Sequence, residues 1–290
     1  HGKQSLTMCL GLGCNAAGVV GCRIIDSPRE RLVAVITNAF IPCNGRFPTL
    51  IALITMFFAG LSGGLSGSAV SALMLTGVIV FSVCMTVLVS RILTKTILKG
   101  LPSSFHLELP PYRRPQIGRV IVRSVLDRTL FVLRRAVAVA APAGLVIWVM
   151  ANVRVGGASL LSHAASFLDP LGRLMGLDGF ILTAFILGFP ANEIVIPILL
   201  MGYLSAGTLL EPASLIDLRT LLVANGWTRL TALCMMIFSL LHWPCGTTCL
   251  TIRKETGGLK WTLVSVLVPT ACGMIVCILI ANLARLFGLA

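Results

Sequence analysis

Apolar stretches of near membrane length recur along this chain, and the residues that interrupt them predict where its helices break. The first stretch, about Leu6 to Val20, carries Gly11-Leu12-Gly13-Cys14-Asn15 at its middle and Gly18 beyond it. Glycine there permits local unwinding or close backbone approach, so Cys14 and Asn15 sit at a weak point; a small-residue packing face fits the same spacing. Ser27-Pro28-Arg29-Glu30 then reads as an N-cap, a proline at the first helical position and a capping-box acid. The helix it starts is predicted to run from Leu32 to about Ile41, break at Pro42-Cys43-Asn44-Gly45-Arg46, and resume from Leu50 to Phe58. A Gly/Ser-rich turn over Leu61 to Ser68 precedes a clean apolar span, Ala69 to Leu93.

Basic residues crowd the next region, from Arg91 through Arg135, around an extended Leu109-Pro110-Pro111-Tyr112 core. Its last part, Val120 to Arg135, is predicted to be an amphipathic basic helix at the membrane surface. Val137 to Val153 reads as a span, and Gly156 to Gly176 as a helix lying flat on the opposite face, with a lone His163. Leu209 to Trp227 is less hydrophobic and reads as a linker. Leu230 to Leu241 leads into His242-Trp243-Pro244-Cys245-Gly246-Thr247-Thr248-Cys249, a polar turn follows over Arg253 to Trp261, and Leu263 to Phe287 is the last span.

The stretch from Phe180 to Leu204 differs from the others because Glu193 stands inside it. A lone carboxylate at bilayer depth costs about 2.5 kcal/mol or more unless it faces a cavity or partner, which makes it a candidate functional residue. Pro190 and Pro197 each remove a backbone donor, so the helix is expected to be kinked or unwound on both sides of Glu193. Such backbone survives in lipid only where protein or water covers it.

Composition settles the class. With 57% hydrophobic and only 11% charged residues, the chain is a polytopic membrane protein. The net charge of +13 lies in short loops between apolar runs and is read as topology, with the Arg91 to Arg135 region cytoplasmic, rather than as nucleic-acid binding. Several of the ten cysteines, Cys84, Cys234, Cys272 and Cys277 among them, lie in apolar segments and behave as small core residues. No phosphate-binding loop is present, since Gly2-Lys3-Gln4-Ser5 lacks the first glycine and a preceding strand, and no Ser-His-Asp or Cys-His arrangement has a soluble setting. The chain is not expected to be an enzyme. It opens at His1 and reads as the C-terminal part of something longer.

The two halves share a pattern. Arg31-Leu32 is followed after nine residues by Pro42-Cys43, and Arg229-Leu230 after thirteen by Pro244-Cys245. Each follows a segment broken at small or polar residues, Gly13-Cys14-Asn15 in one and Pro190-Ala191-Asn192-Glu193 in the other. Paired interrupted segments point to a transporter site near the midplane. The gathered set is Cys14, Asn15, Cys43, Glu193 and Cys245, with His242 and Cys249 as further candidates. Thiolate, amide oxygen and carboxylate together suit a borderline divalent ion such as ferrous iron, zinc or manganese better than magnesium or calcium. Cys249 is four residues from Cys245 and would share its helix face as metal pair, redox pair or packing.

These motifs, taken with Lys254-Glu255-Thr256-Gly257, resemble the membrane region of the bacterial ferrous iron transport protein B (FeoB) family, in the family's order and over nearly the whole chain. The chain is expected to form an all-α polytopic transmembrane bundle of about seven spans, with two gate-like repeats containing broken helices, which the resemblance identifies with the family's gate regions. The resemblance implies ferrous ion (Fe2+) uptake across the cell inner membrane, an N-terminal cytoplasmic GTP-binding domain outside this chain, and small cytoplasmic accessory proteins as partners. A homo-oligomer is compatible with it. The family's proposed iron-pathway residues fall on Cys14, Cys43, Glu193 and Cys245; Asn44-Gly45 and Asn192 depart from its common residues, Asn192 standing where Lys is frequent. The expected organisation is 1–90 for the first gate region and following span, 91–135 for the basic loop and amphipathic helix, and 136–290 for the second gate region and terminal spans. A carrier for nucleosides or other small solutes on the same repeat, and a membrane sensor or scaffold with Glu193 paired to an arginine, are the alternatives.

Overall fold

The computed structural model describes residues 2–60, 64–100, 118, 121–122, 130–209 and 214–288. Helix α1 (Lys3–Gly13) ends where Cys14 turns extended, and α2 (Asn15–Gly21) restarts at once. Helix α3 (Pro28–Thr37) begins as its sequence dictates: the Ser27 side chain accepts from the Glu30 N–H and Pro28 takes the first helical position. A 3-10 turn, Asn38–Phe40, closes α3, and α4 (Phe47–Ile54) resumes with a π-helical end over Thr55–Ala59. Helix α5 (Leu65–Lys95) starts inside the stretch expected to be a turn, because Leu65 to Ser68 carries no helix breaker beyond one glycine.

Helix α6 (Phe131–Asn152) is followed by a two-residue hairpin, β1 (Arg154–Val155) antiparallel to β2 (Ala158–Ser159), in which Arg154 faces Ser159 and Gly156-Gly157 turn with positive φ. Helices α7 (Leu160–Leu174) and α8 (Gly179–Leu187) meet at an elbow bent by 112°. After a break, a 3-10 turn at Asn192–Ile194 leads into α9 (Val195–Tyr203). The segment read as a linker contains α10 (Leu215–Ala224), capped by Ser214, whose side chain accepts from the Asp217 N–H. Helices α11 (Arg229–Leu241), α12 (Gly246–Thr256) and α13 (Leu259–Leu286) complete the chain. The amphipathic helix expected over 120–135 falls largely outside the described residues.

Among the described residues, three stretches are long and apolar enough to cross a membrane: Ser66–Lys95, Arg229–Thr256 and Leu259–Leu286. The bent α7–α8 pair makes up to four, and shorter apolar helices lie at Phe47–Ala59, Ala136–Asn152 and Asn192–Tyr203. Burial separates their roles. The apolar window of Arg229–Thr256 is 72% buried, against 17% for Ser66–Lys95 and 22% for Leu259–Leu286. The interrupted stretch is therefore the interior of the bundle, and the two unbroken helices present Leu73, Val80, Val87, Leu267, Ile275 and Leu279 outward, as lipid-facing helices do.

The core on which the interruptions rest runs from Phe40, Leu50 and Leu53 through Ile181 and Phe185 to Met235, Phe238 and Leu241. Phe185 meets Phe238 edge-on, with centroids 5.0 Å apart, and both flank His242. The halves are also clamped at their polar ends. Arg23 Nε and Nη2 each donate at 2.7 Å to the Glu255 carboxylate, a bidentate pair across 232 residues. At the same end Lys3 stands 2.5 Å from Asp26 and holds that carboxyl below its usual range, by its hydrogen bond first and its charge second.

Candidate functional site

Two matching interruptions, one in each half of the chain, frame the candidate site. In the first half Cys14 is extended at φ −154°, ψ 126°, directly before the helix that begins at Asn15. In the second half Ala191 is extended at φ −151°, ψ 125°, directly before the turn that begins at Asn192. Each break is stitched to its partner segment by one backbone hydrogen bond: Asn44 N–H donates to Gly13 O at 3.3 Å, and Gly246 N–H donates to Phe189 O at 2.7 Å. The donors are the residues after Cys43 and after Cys245. The repeat read from Pro-Cys spacing is thus a repeat of backbone conformation and hydrogen bonding.

The residue closing each long helix also matches. Asn38 Nδ2 donates to Asn15 O at 2.8 Å, while His242 faces the side chain of Asn192 at 3.3 Å. Gly11 and Gly18 are what let Asn38 approach, since a Cβ on either would stand 2.8 and 2.4 Å from its Oδ1.

The expected helix distortion at Pro197 does not occur. Pro190 lies in the break, but Pro197 falls in the first turn of α9, where the N–H it lacks would have had no intrahelical partner. Glu193 therefore has unwound chain on its N-terminal side only.

The site residues are placed as follows. Cys14 is exposed at its break, and Asn15 is 2% exposed. With its amide ends set by their partners, Asn15 Nδ2 donates to Ile41 O at 3.1 Å and Gly11 O at 3.2 Å. Cys43 is half-buried, and the Asn192 amide lies 3.9 Å from its Sγ. Glu193 is exposed, its Oε2 lying 2.8 Å from where a Cβ on Gly45 would stand. Cys245 is half-buried with Sγ 3.2 Å from Thr248 Oγ1, while Cys249 is buried and its thiol donates to Pro244 O at 3.4 Å. The helix does not run through the proline, so Cys245 stands at the N-cap position of α12, with no capping side-chain hydrogen bond, rather than sharing a continuous face with Cys249. The structure brings Cys43, Asn192, Gly45 and Glu193 to one place across the two halves. Among the described residues no three His, Cys, Asp or Glu side chains are gathered closely enough to hold a metal ion together.

Arg46 is the residue that motif reading passed over. It is 1% exposed, yet it pairs with main-chain oxygens rather than with a carboxylate. Its Nη1 donates at 3.0 Å both to Ala39 O and to Leu240 O, and its Nη2 reaches Trp243 O at 3.4 Å. Ala39 lies in the turn ending α3 and Leu240 in the last turn of α11, so the C-terminal ends of the two matching helices point their partial negative charge at one guanidinium. That is how a buried arginine is sustained here. The signal available in sequence was an ionisable residue between apolar runs, the same rule that singled out Glu193.

Interrupted helices arranged as two matching units, with unbroken apolar helices outside them, define a polytopic α-helical membrane protein. Residues 75–127 match the family model described as ferrous iron transport protein B C terminus, and residues 133–259 match the Gate model, described as nucleoside recognition. The chain is 30% identical over 293 residues to a Fe(2+) transporter FeoB of Staphylococcus aureus (strain MSSA476), covering 99% of this chain and 41% of that protein. It is 25% identical to the Fe(2+) transporter FeoB of Methanocaldococcus jannaschii, over 98% of this chain and 42% of the relative. It is 32% identical over 225 residues to that of Legionella pneumophila, over 73% of this chain and 29% of the relative. The chain belongs to the ferrous iron transport protein B family, corresponding to its C-terminal membrane region. It spans about two fifths of the length of the first two of these relatives. No solved structure matches it.

Proposed function

We propose that this chain forms the ferrous-ion pathway of a FeoB-type transporter in the cell inner membrane. In the full-length protein it would be gated by a GTP-binding domain outside the chain. The observation that carries the reading is the meeting of Cys43 and Gly45 from one interrupted unit with Asn192 and Glu193 from the other. Thiol, amide and carboxylate from two separately placed segments offer a borderline divalent ion mixed donors, and a change in the relative position of the segments would make or break the set. Transport needs sites that an ion can leave, so donors held singly or in pairs suit it. Relatives named Fe(2+) transporter support ferrous iron as the ion. A Porphyromonas gingivalis relative named as a fusion of Fe(2+) transport protein A with Fe(2+) transporter FeoB supports a small accessory protein as partner.

The test is radiolabelled ferrous uptake by a transport-deficient bacterium carrying the full-length protein. Glu193→Gln and Cys43→Ser are each expected to lower uptake by about tenfold or more, at unchanged membrane levels, which corresponds to roughly 1.4 kcal/mol of lost ion stabilisation. Undiminished uptake in both would remove these groups from the path. The Gate match, with its nucleoside description, gives the solute-carrier reading its own observation; that reading requires uptake of a nucleoside to survive when Cys43 and Cys245 are both serine.

Gly45 provides a finer check. A Cβ there would stand 2.8 Å from Glu193 Oε2, the far end of a flexible side chain that can swing away. Gly45→Ala is therefore expected to leave the unfolding temperature near that of wild type while lowering uptake several-fold. Wild-type uptake in Gly45→Ala would show that the Glu193 position does not matter.

A further inference from the structure

The side chain of Asn192 joins two groups of different character: as placed, its Nδ2 lies 3.9 Å from Cys43 Sγ and its Oδ1 lies 3.3 Å from His242 Nε2. Which end of the amide faces which is decided by the histidine. His242 is 1% exposed, and its Nδ1 lies 2.9 Å from Ser239 O and 3.1 Å from Phe238 O. Carbonyl oxygens only accept, so Nδ1 must carry a proton. In a neutral ring Nε2 is then an acceptor and needs a donor opposite it.

A doubly protonated ring would add a second positive charge beside Arg46, whose guanidinium holds the carbonyls of Leu240 and Trp243 on either side of His242. That carries a desolvation and Coulombic cost which the neutral ring avoids. The neutral ring instead calls for the Asn192 amide to present its NH2 group to Nε2. Amide ends are told apart by their partners alone, and a half-turn of the group exchanges them in place. Its oxygen then faces Cys43.

We infer that Asn192 supplies an oxygen ligand beside the Cys43 thiol on the ion path, and that His242 is the positioning residue that turns this oxygen toward it. The ligand is a divalent cation of borderline softness, and the inference rests on the ion-path reading above. His242 touches no ion itself; it uses its two ring nitrogens to transmit the orientation of the α11 carbonyls to the amide.

The experiment is protection of Cys43 from maleimide by anaerobic Fe2+ in membranes carrying the full-length protein, read by mass spectrometry of the Cys43 peptide. Asn192→Leu is expected to raise the protecting Fe2+ concentration by about tenfold or more, and His242→Phe by about tenfold, the lower end of what outer-shell partners of metal ligands command. Both oxygens of an aspartate accept, so orientation no longer matters in Asn192→Asp, and adding His242→Phe to it should produce no further shift. A general packing role for His242 would shift both backgrounds alike and would overturn the positioning claim, and wild-type protection in Asn192→Leu would overturn the ligand claim. Those two failures leave Cys43 protected in wild type. Absence of protection in wild type would instead sink the ion path at Cys43, and this inference with it.

Discussion

Gly179→Ala is expected to lower the unfolding temperature of the detergent-solubilised protein by roughly 6 °C or more, a loss of about 3 kcal/mol. At Gly179 a Cβ would stand 1.9 Å from Ala165 O, 2.7 Å from Ala165 C and 2.9 Å from Asp169 N. These are backbone atoms of α7, so no rotamer change relieves the clash. Gly172 makes the reciprocal approach, its position for a Cβ being 2.7 Å from Asp178 C. The 112° elbow exists because two helices cross there without side chains between them, while Asp178 caps α8 by accepting from the Ile181 N–H at 2.7 Å. Parting the backbones would also move α8, which leads directly into the break before Glu193, so uptake should fall with stability. Gly77→Ala is the control, since nothing lies within 4 Å of a Cβ there; in a helix interior it should be neutral or slightly stabilising. Equal unfolding temperatures for Gly179→Ala and wild type would show that the elbow can open without cost.

What the sequence revealed and what it hid divide by the range of the interaction. The Cys14 break, the Ser27 cap and the interruption at Pro42 to Arg46 were legible because glycine, proline and capping residues act on their own neighbours. Pro197 was misread because its effect depends on where a helix begins, and α9 begins only two residues before it. Helix α10 was hidden in mixed polarity between Leu209 and Trp227; its Ser214 cap and Asp217 were a usable local signal. The candidate site itself was half legible. Cys43 and Glu193 stood out by residue type, but the apposition of Gly45 to Glu193 and the reach of Asn192 from Cys43 to His242 join positions far apart in the chain. No local pattern encodes such pairings; only the shared core of α4, α8 and α11 produces them.

Arg46→Met is expected to reduce iron uptake to background with protein still present in the membrane. Methionine fills similar space and carries no charge, so it removes the guanidinium fork without leaving a large void. Two opposing stability effects follow. The oxygens of Ala39, Leu240 and Trp243 lose their donor, at about 1–3 kcal/mol for each one left buried and unpaired. Against that, a buried cation no longer has to be desolvated, and replacing a buried charge by an apolar side chain is often nearly neutral. Stability should therefore change less than function does. Function depends on relative position: one fork holds the ends of α3 and α11, and with them the Cys43 and Cys245 segments, at a fixed separation. Arg46→Lys tests this reading against a purely electrostatic one. It keeps the buried positive charge but replaces a rigid planar fork by a single flexible ammonium that cannot hold three carbonyls of two units in the same geometry. If fixed placement is what matters, Arg46→Lys should lose most of its uptake, as Arg46→Met does. If charge alone matters, lysine should restore it, and wild-type uptake in Arg46→Met would exclude both roles.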